Sequence, residues 1–149
     1  MDAMRQKKLL RRPVDEEKGA KAVGTPERSD RPRVLVVDDS EMVRNFHSYI
    51  LRDAGFEVQT AADGAQALEE YFKGAFDLIV TDINMPQMDG LTFIRRVRNV
   101  DQNIPIIIIS TEDEAEDKQQ GYDAGANIYI VKPTRPSVLI ESIKLLIEK

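Results

Sequence analysis

The stretch FDLIVTDINMPQMDG, Phe76 to Gly90, organises the rest of the chain through one carboxylate. Asp77 to Thr81 favour a buried strand that runs straight into Asp82, and Met85-Pro86 then blocks any immediate return to helix or sheet. A carboxylate at the mouth of a buried strand is partly desolvated, so a positive group must sit over it. Aspartate also ends strands by simple turn preference. The choice between these readings depends on what else reaches the same edge.

Upstream, Val34-Leu35-Val36-Val37 is a continuous β-branched run ending in Asp38-Asp39-Ser40. Ser40 can cap a helix whose apolar positions Val43, Phe46, Ile50 and Ala54 recur at helical spacing, with Gly55 stopping it. Glu57 to Ala61 reads as a second strand. Asp63-Gly64 opens a helix with Ala65, Leu68 and Phe72 inward, and Asp63 with Gln66 resembles a capping box. Downstream of Asp82, a helix from about Leu91 to Asn99 puts Leu91, Ile94 and Val97 on one face. Pro105 to Ile109 forms the fourth strand, ending in Ser110-Thr111. Ile128 to Val131 forms the fifth, ending in Lys132-Pro133. A last helix from about Pro136 to Glu148 buries Leu139, Ile143 and Leu146 or Ile147. Five alternating strand-helix units with mostly unbroken apolar strands predict parallel strands covered on both faces, a doubly wound α/β fold.

At 149 residues the chain suits one domain with a good core. It has no cysteine and one histidine, which excludes disulfides, thiolate sites and a zinc site built on imidazoles. No apolar run reaches the roughly 18 residues that a membrane span needs. Arg11-Arg12 is followed by Pro13-Val14-Asp15-Glu16-Glu17 instead of an apolar segment, so no export signal is read and a cytoplasmic protein is expected. The net charge of −5 hides an asymmetry: residues 1–33 carry ten Lys/Arg against six Asp/Glu, residues 34–149 eleven against twenty. Residues 1–32 are expected to form a basic flexible tail, since their one short apolar cluster, Leu9-Leu10, cannot offset ordering entropy. The acidic remainder is not expected to hold nucleic acid directly.

Ligands of an open parallel sheet bind off the carboxyl ends of its strands. Four of the five expected strands end in Asp38-Asp39, Asp82, Ser110-Thr111 and Lys132. Two carboxylates at 4 Å repel by about 4 kcal/mol at an effective dielectric near 20, so this edge calls for a cation. With oxygen ligands alone, Mg²⁺ is expected, Mn²⁺ being the other choice. A divalent ion, an ammonium and a hydroxyl around one carboxylate make a receptacle for a phosphoryl group, with Asp82 as nucleophile.

The blocks VLVVDDS, DLIVTDINMPQMDG, IIIISTE, DAGAN and IVKP, in that order, resemble the receiver domain of two-component response regulators, in the free-standing form typified by the chemotaxis regulator. The resemblance covers residues 33–149 and implies a flavodoxin-like five-stranded sheet in the order 2-1-3-4-5. It implies that Asp82 is the phosphoacceptor and Lys132 the phosphate-binding lysine. It further implies that Asp39 and Asp82 ligate Mg²⁺ directly, Asp38 through water, and Asn84 by its backbone carbonyl. Ser110 takes the switch hydroxyl position, with Thr111 adjacent, and Tyr129 the switch aromatic, whose ring turns inward when Ser110 moves toward the phosphoryl group. A histidine kinase is the implied donor. With no output domain visible after the last helix, a downstream protein effector is the expected target, or a histidine phosphotransferase if the protein is a phosphorelay intermediate.

Two departures from the family pattern are Thr111, where a small residue is usual, and Thr134-Arg135 after Lys132-Pro133. The stretch Glu112 to Ala124 is read as a helix with few inward candidates, Ala115, Gln119 and Tyr122, and is expected to be the least stable helix, moving on phosphorylation. His47 is read as a helix-surface residue. An aspartyl-nucleophile phosphatase would place an acid two positions after its nucleophile. Asn84 stands there, which disfavours that reading. A nucleotide-binding protein is disfavoured by the lack of a phosphate-cradling glycine loop.

Overall fold

The structure, a computed structural model, describes residues 30–148. The basic stretch 1–32 therefore lies, apart from its last three residues, outside the described residues. Five strands, β1 (Arg33–Val37), β2 (Glu57–Ala61), β3 (Leu78–Thr81), β4 (Ile106–Ser110) and β5 (Ile128–Val131), alternate with helices α1 (Glu41–Asp53), α2 (Gly64–Lys73), α3 (Gly90–Val100), α4 (Ala115–Ala124) and α5 (Pro136–Ile147). All strands pair in parallel, in the order β2-β1-β3-β4-β5. This is the expected doubly wound sheet.

Period-two alternation divides each central strand between two cores. Leu35, Val37, Ile79, Ile106 and Ile108 pack with Ala67, Tyr71, Phe93, Ile94, Val97 and Ala124, which places α2, α3 and α4 on one face. Val34, Val36, Leu78, Val80, Ile107 and Ile109 pack with Leu51, Leu139 and Ile143 of α1 and α5 on the other. Leu139 and Ile143 are fully buried. Truncating either to alanine is worth about 2–5 kcal/mol by the usual cavity cost.

Side-chain caps start three of the helices. Ser40 accepts from Val43 N at 3.2 Å, Asp63 from Gln66 N at 2.8 Å and Asp89 from Thr92 N at 2.8 Å. The Gln66 side chain reaches back to the Ala62 amide instead of that of Asp63, so the capping box is displaced by one residue.

The buried stripes differ from the expected ones in three helices. In α1 the sheet side holds His47, Ser48, Ile50 and Leu51, while Phe46 is half exposed and Ala54 is exposed. In α2, Ala67 and Tyr71 face inward and Ala65 and Phe72 outward. The Tyr71 hydroxyl donates to Asp101 at 3.0 Å, which satisfies the one polar atom of a buried tyrosine. The fourth helix starts at Ala115 instead of Glu112 and turns Gly121 and Ala124 inward; Ala115, Gln119 and Tyr122 are exposed. Gly121 permits close approach to β4 and β5, since a Cβ there would lie 2.8 Å from Ile108 Cδ1 and 3.0 Å from Tyr129 Cδ2. Among the described residues no helix is long and apolar enough to cross a membrane.

Candidate functional site

Strand register builds the site. Val37 of β1 pairs with Thr81 of β3, so the next residues, Asp38 and Asp82, come off the carboxyl edge side by side, with the Asp82 amide donating to Val37 O at 3.0 Å. Ser110 pairs with Val131 at the ends of β4 and β5, and the Lys132 amide returns to Ser110 O at 2.8 Å. All four strand-end positions singled out from the sequence thus share one rim.

Asp38, Asp39 and Asp82 each offer a carboxylate oxygen within 4.8 Å of the others. Lys132 Nζ donates to Asp38 Oδ2 and Asp82 Oδ2, at 2.9 Å each. The second oxygens are held by backbone: Asp38 Oδ1 accepts from Ser40 N at 2.9 Å, and Asp82 Oδ1 from Ile83 N at 2.6 Å. Burial pushes the Asp82 carboxyl above its usual range against the bonds from Lys132 and Ile83, with Asp38 adding to the upward shift. Burial alone would lower the Lys132 ammonium, but its bonds to Asp82 and Asp38 outweigh that and hold it above the usual lysine range.

Three carboxylates against one ammonium leave the rim with excess negative charge, and its donors are all oxygen. That set suits a hard divalent cation such as Mg²⁺. Asp38, Asp39 and Asp82 can hold one. The lone imidazole is no competitor: His47 is buried instead of on the surface as read from sequence, and burial lowers its basicity, with Asp38 opposing and Lys132 reinforcing.

Ser110 is fully buried, and its hydroxyl accepts from Glu112 N at 3.1 Å. Tyr129 is turned inward, 9% exposed, and donates to Glu112 O at 2.7 Å. Asn84 is exposed on the loop after Asp82, and its side-chain amide donates to Glu112 Oε2 at 2.6 Å. Sequence reasoning missed Glu112, which joins the Asn84 loop to both Ser110 and Tyr129. Within the acidic run Glu112 to Asp117 nothing distinguished it. Arg44 was also missed; its guanidinium donates to Asp38 O at 2.7 Å, a contact that only the packing of α1 on β1 creates.

Two close approaches seat the β3–α3 loop. A Cβ on Gly90 would overlap Asp82 O, and one on Gly64 would overlap Met88 O, which accepts from the Gly64 amide at 3.0 Å. Both are glycine for want of space. Beside Lys132 a cavity of about 350 Å³ is lined by Val43, Phe46, His47, Thr111, Pro133 and Thr134. Two of the departures from the family pattern, Thr111 and Thr134, therefore meet at this opening.

Residues 34–144 match the response regulator receiver domain family. The transcriptional regulatory protein PrrA of Mycobacterium tuberculosis is 41% identical over 118 residues, 79% of this chain and 51% of that protein. A gliding motility regulatory protein of Myxococcus xanthus is 37% identical over 133 residues, 88% of this chain and 16% of its own length. Among solved structures, chemotaxis response regulator CheY4 of Vibrio cholerae superposes with a TM-score of 0.73 at 42% identity, covering 78% of this chain and 98% of that one.

These relatives correct one expectation. A partner set without nucleic acid was inferred from the acidity of residues 34–149. Several curated relatives, PrrA and DltR among them, are transcriptional regulatory proteins of which this chain spans about half. The charge of the shared half does not bear on what such a protein contacts through the rest, so the exclusion is withdrawn. The fold, the rim of acids and the sequence match agree: the chain belongs to the response regulator receiver domain family.

Proposed function

We propose that Asp82 accepts a phosphoryl group from a phosphohistidine of a histidine kinase, and that the resulting acyl phosphate changes what the surrounding surface binds. The observation that carries this reading is the single ammonium of Lys132 shared, at 2.9 Å each, between Asp38 and Asp82. In the transfer, an Asp82 carboxylate oxygen forms a bond to phosphorus as the phosphorus–nitrogen bond breaks, the electron pair leaving with the imidazole. Lys132 exchanges a carboxylate contact for a phosphoryl oxygen, a charge-assisted bond that strengthens as negative charge gathers. Asp39, Asp82 and the Asn84 carbonyl, with Asp38 beside them, would hold Mg²⁺, which would supply neutralisation of the acids and of the incoming phosphoryl oxygens.

Ser110 is the hydroxyl that turns from Glu112 N toward the phosphoryl group. Since Tyr129 hydrogen-bonds the backbone of that same Glu112, the movement is transmitted to the β4–α4 loop. Asn84 has no acidic proton to give an alkoxide leaving group, so turnover of phosphomonoesters is not part of this reading, and slow hydrolysis of the protein's own acyl phosphate is. Its setting is the cytoplasm. The test is incubation with acetyl phosphate and Mg²⁺ followed by intact mass. The wild type is expected to gain one phosphoryl group, and Asp82→Asn none. Equal gain by both would overturn the assignment.

A further inference from the structure

A second surface feature adjoins the cavity beside Lys132 through their shared wall, Phe46. Between α1 and α5 an apolar groove of about 560 Å³ is walled by Phe46, Tyr49, Ile50 and Ile140, with charges from Asp53, Glu141 and Lys144. On α1 the exposed residues Met42, Phe46 and Tyr49 continue to Asp53 at helical spacing, a second apolar stripe beside the one already buried on the sheet. Met42 is 79% and Tyr49 68% exposed. Contiguous exposed apolar surface rimmed by charge is characteristic of a contact surface.

We propose that residues 5–12 of this same chain, RQKKLLRR, occupy the groove, Leu9 and Leu10 entering between the helices and the basic residues meeting the carboxylates. Three observations choose this occupant. The chain enters the described fold at the C-terminal end of α1, where Arg31 pairs with Glu57 at 3.7 Å and shares a surface cavity with Arg52, and Asp53 lines the groove at that same end of the helix. The tether is long enough, because the eighteen residues between Arg12 and Arg31 can extend to roughly 60 Å, against about 20 Å for the thirteen residues of α1. The chemistry is complementary: five positive charges flank an apolar pair, while the groove has apolar walls, two carboxylates and one ammonium, within a region of eleven Lys/Arg against twenty Asp/Glu. A tether of this length gives an effective concentration on the order of millimolar, so a weak contact suffices.

Hydrogen exchange on the full-length protein tests this without reference to phosphorylation. In Leu9→Asp/Leu10→Asp, amides of α1 and of the facing turns of α5 are expected to exchange about tenfold faster than in the wild type, in which their protection does not change on dilution. Tyr49→Lys, at an exposed position, is expected to produce the same loss and to speed tryptic cleavage after Arg11 and Arg12. Equal exchange in wild type and Leu9→Asp/Leu10→Asp would overturn the proposal. So would wild-type protection that falls on dilution, which would assign the groove to a second copy of the chain.

Discussion

Lys132 is the residue on which the site balances. Its ammonium touches two carboxylates, and a third lies within reach of both. Asp38, Asp82, Ser110 and Lys132 were legible in the sequence because each terminates an apolar run, and strand ends of a parallel sheet converge. Glu112 and Arg44 were not, because their roles arise from loop closure and helix packing. His47 was misread for a similar reason: the stripe of α1 is rotated by one residue from its apolar pattern, carrying an imidazole inward. This gives a pH prediction. The folded His47 pKa lies below the ordinary 6.5, so below that value the unfolded chain binds more protons. The contribution is complete above about pH 6.5 and is lost as pH falls through the folded pKa, with a slope of at most about 1.4 kcal/mol per pH unit. Urea titrations between pH 7 and about 5 should show a shallower stability loss for His47→Gln than for the wild type. Parallel curves would refute the burial argument.

Among the elements, α4 stands apart. It inserts only Gly121 and Ala124 into the core, whereas α1 inserts four residues. Amides of α4 are accordingly expected to exchange faster than those of α1. Protection equal to that of α1 would remove α4 as the movable element. Its one close contact is also its weak point. Gly121→Leu gains helix propensity of up to about 1 kcal/mol, but it forces a side chain onto Ile108 and Tyr129, at an overpacking cost of about 1–3 kcal/mol. A net lowering of the urea midpoint is expected, with Tyr129 displaced. Unchanged stability would mean that α4 shifts freely to make room. The existence and order of all ten elements were legible from run length and spacing. Which face turned inward in α1, α2 and α4 was not, because adjacent candidates such as Tyr71 and Phe72 differ little in hydrophobicity, and hydrogen-bond partners such as Asp101 decide between them.

Over the whole molecule, sheet register and charge distribution do the same work. Parallel pairing in the order β2-β1-β3-β4-β5 brings residues nearly a hundred positions apart, Asp38 and Lys132, into contact. The resulting excess of acid on one rim predicts that divalent metal stabilises the fold, because a ligand bound by the native state alone adds about 2.7 kcal/mol at a hundredfold excess over its Kd. Thermal unfolding should move to higher Tm with Mg²⁺ and back with a chelator, and Asp39→Asn should blunt the shift. No shift in the wild type would speak against the cation site. What its transcriptional relatives contact was not legible, because the chain spans about half of their length. The central claim concerns one atom pair, a phosphorus bonded to the Asp82 carboxylate. Treating the protein with a phosphodonor and Mg²⁺, reducing the acyl phosphate with borohydride and sequencing the peptides locates it. Conversion of residue 82 to homoserine, and of no other aspartate, is the predicted result; an unaltered Asp82 beside a reduced Asp38 or Asp39 would contradict the account.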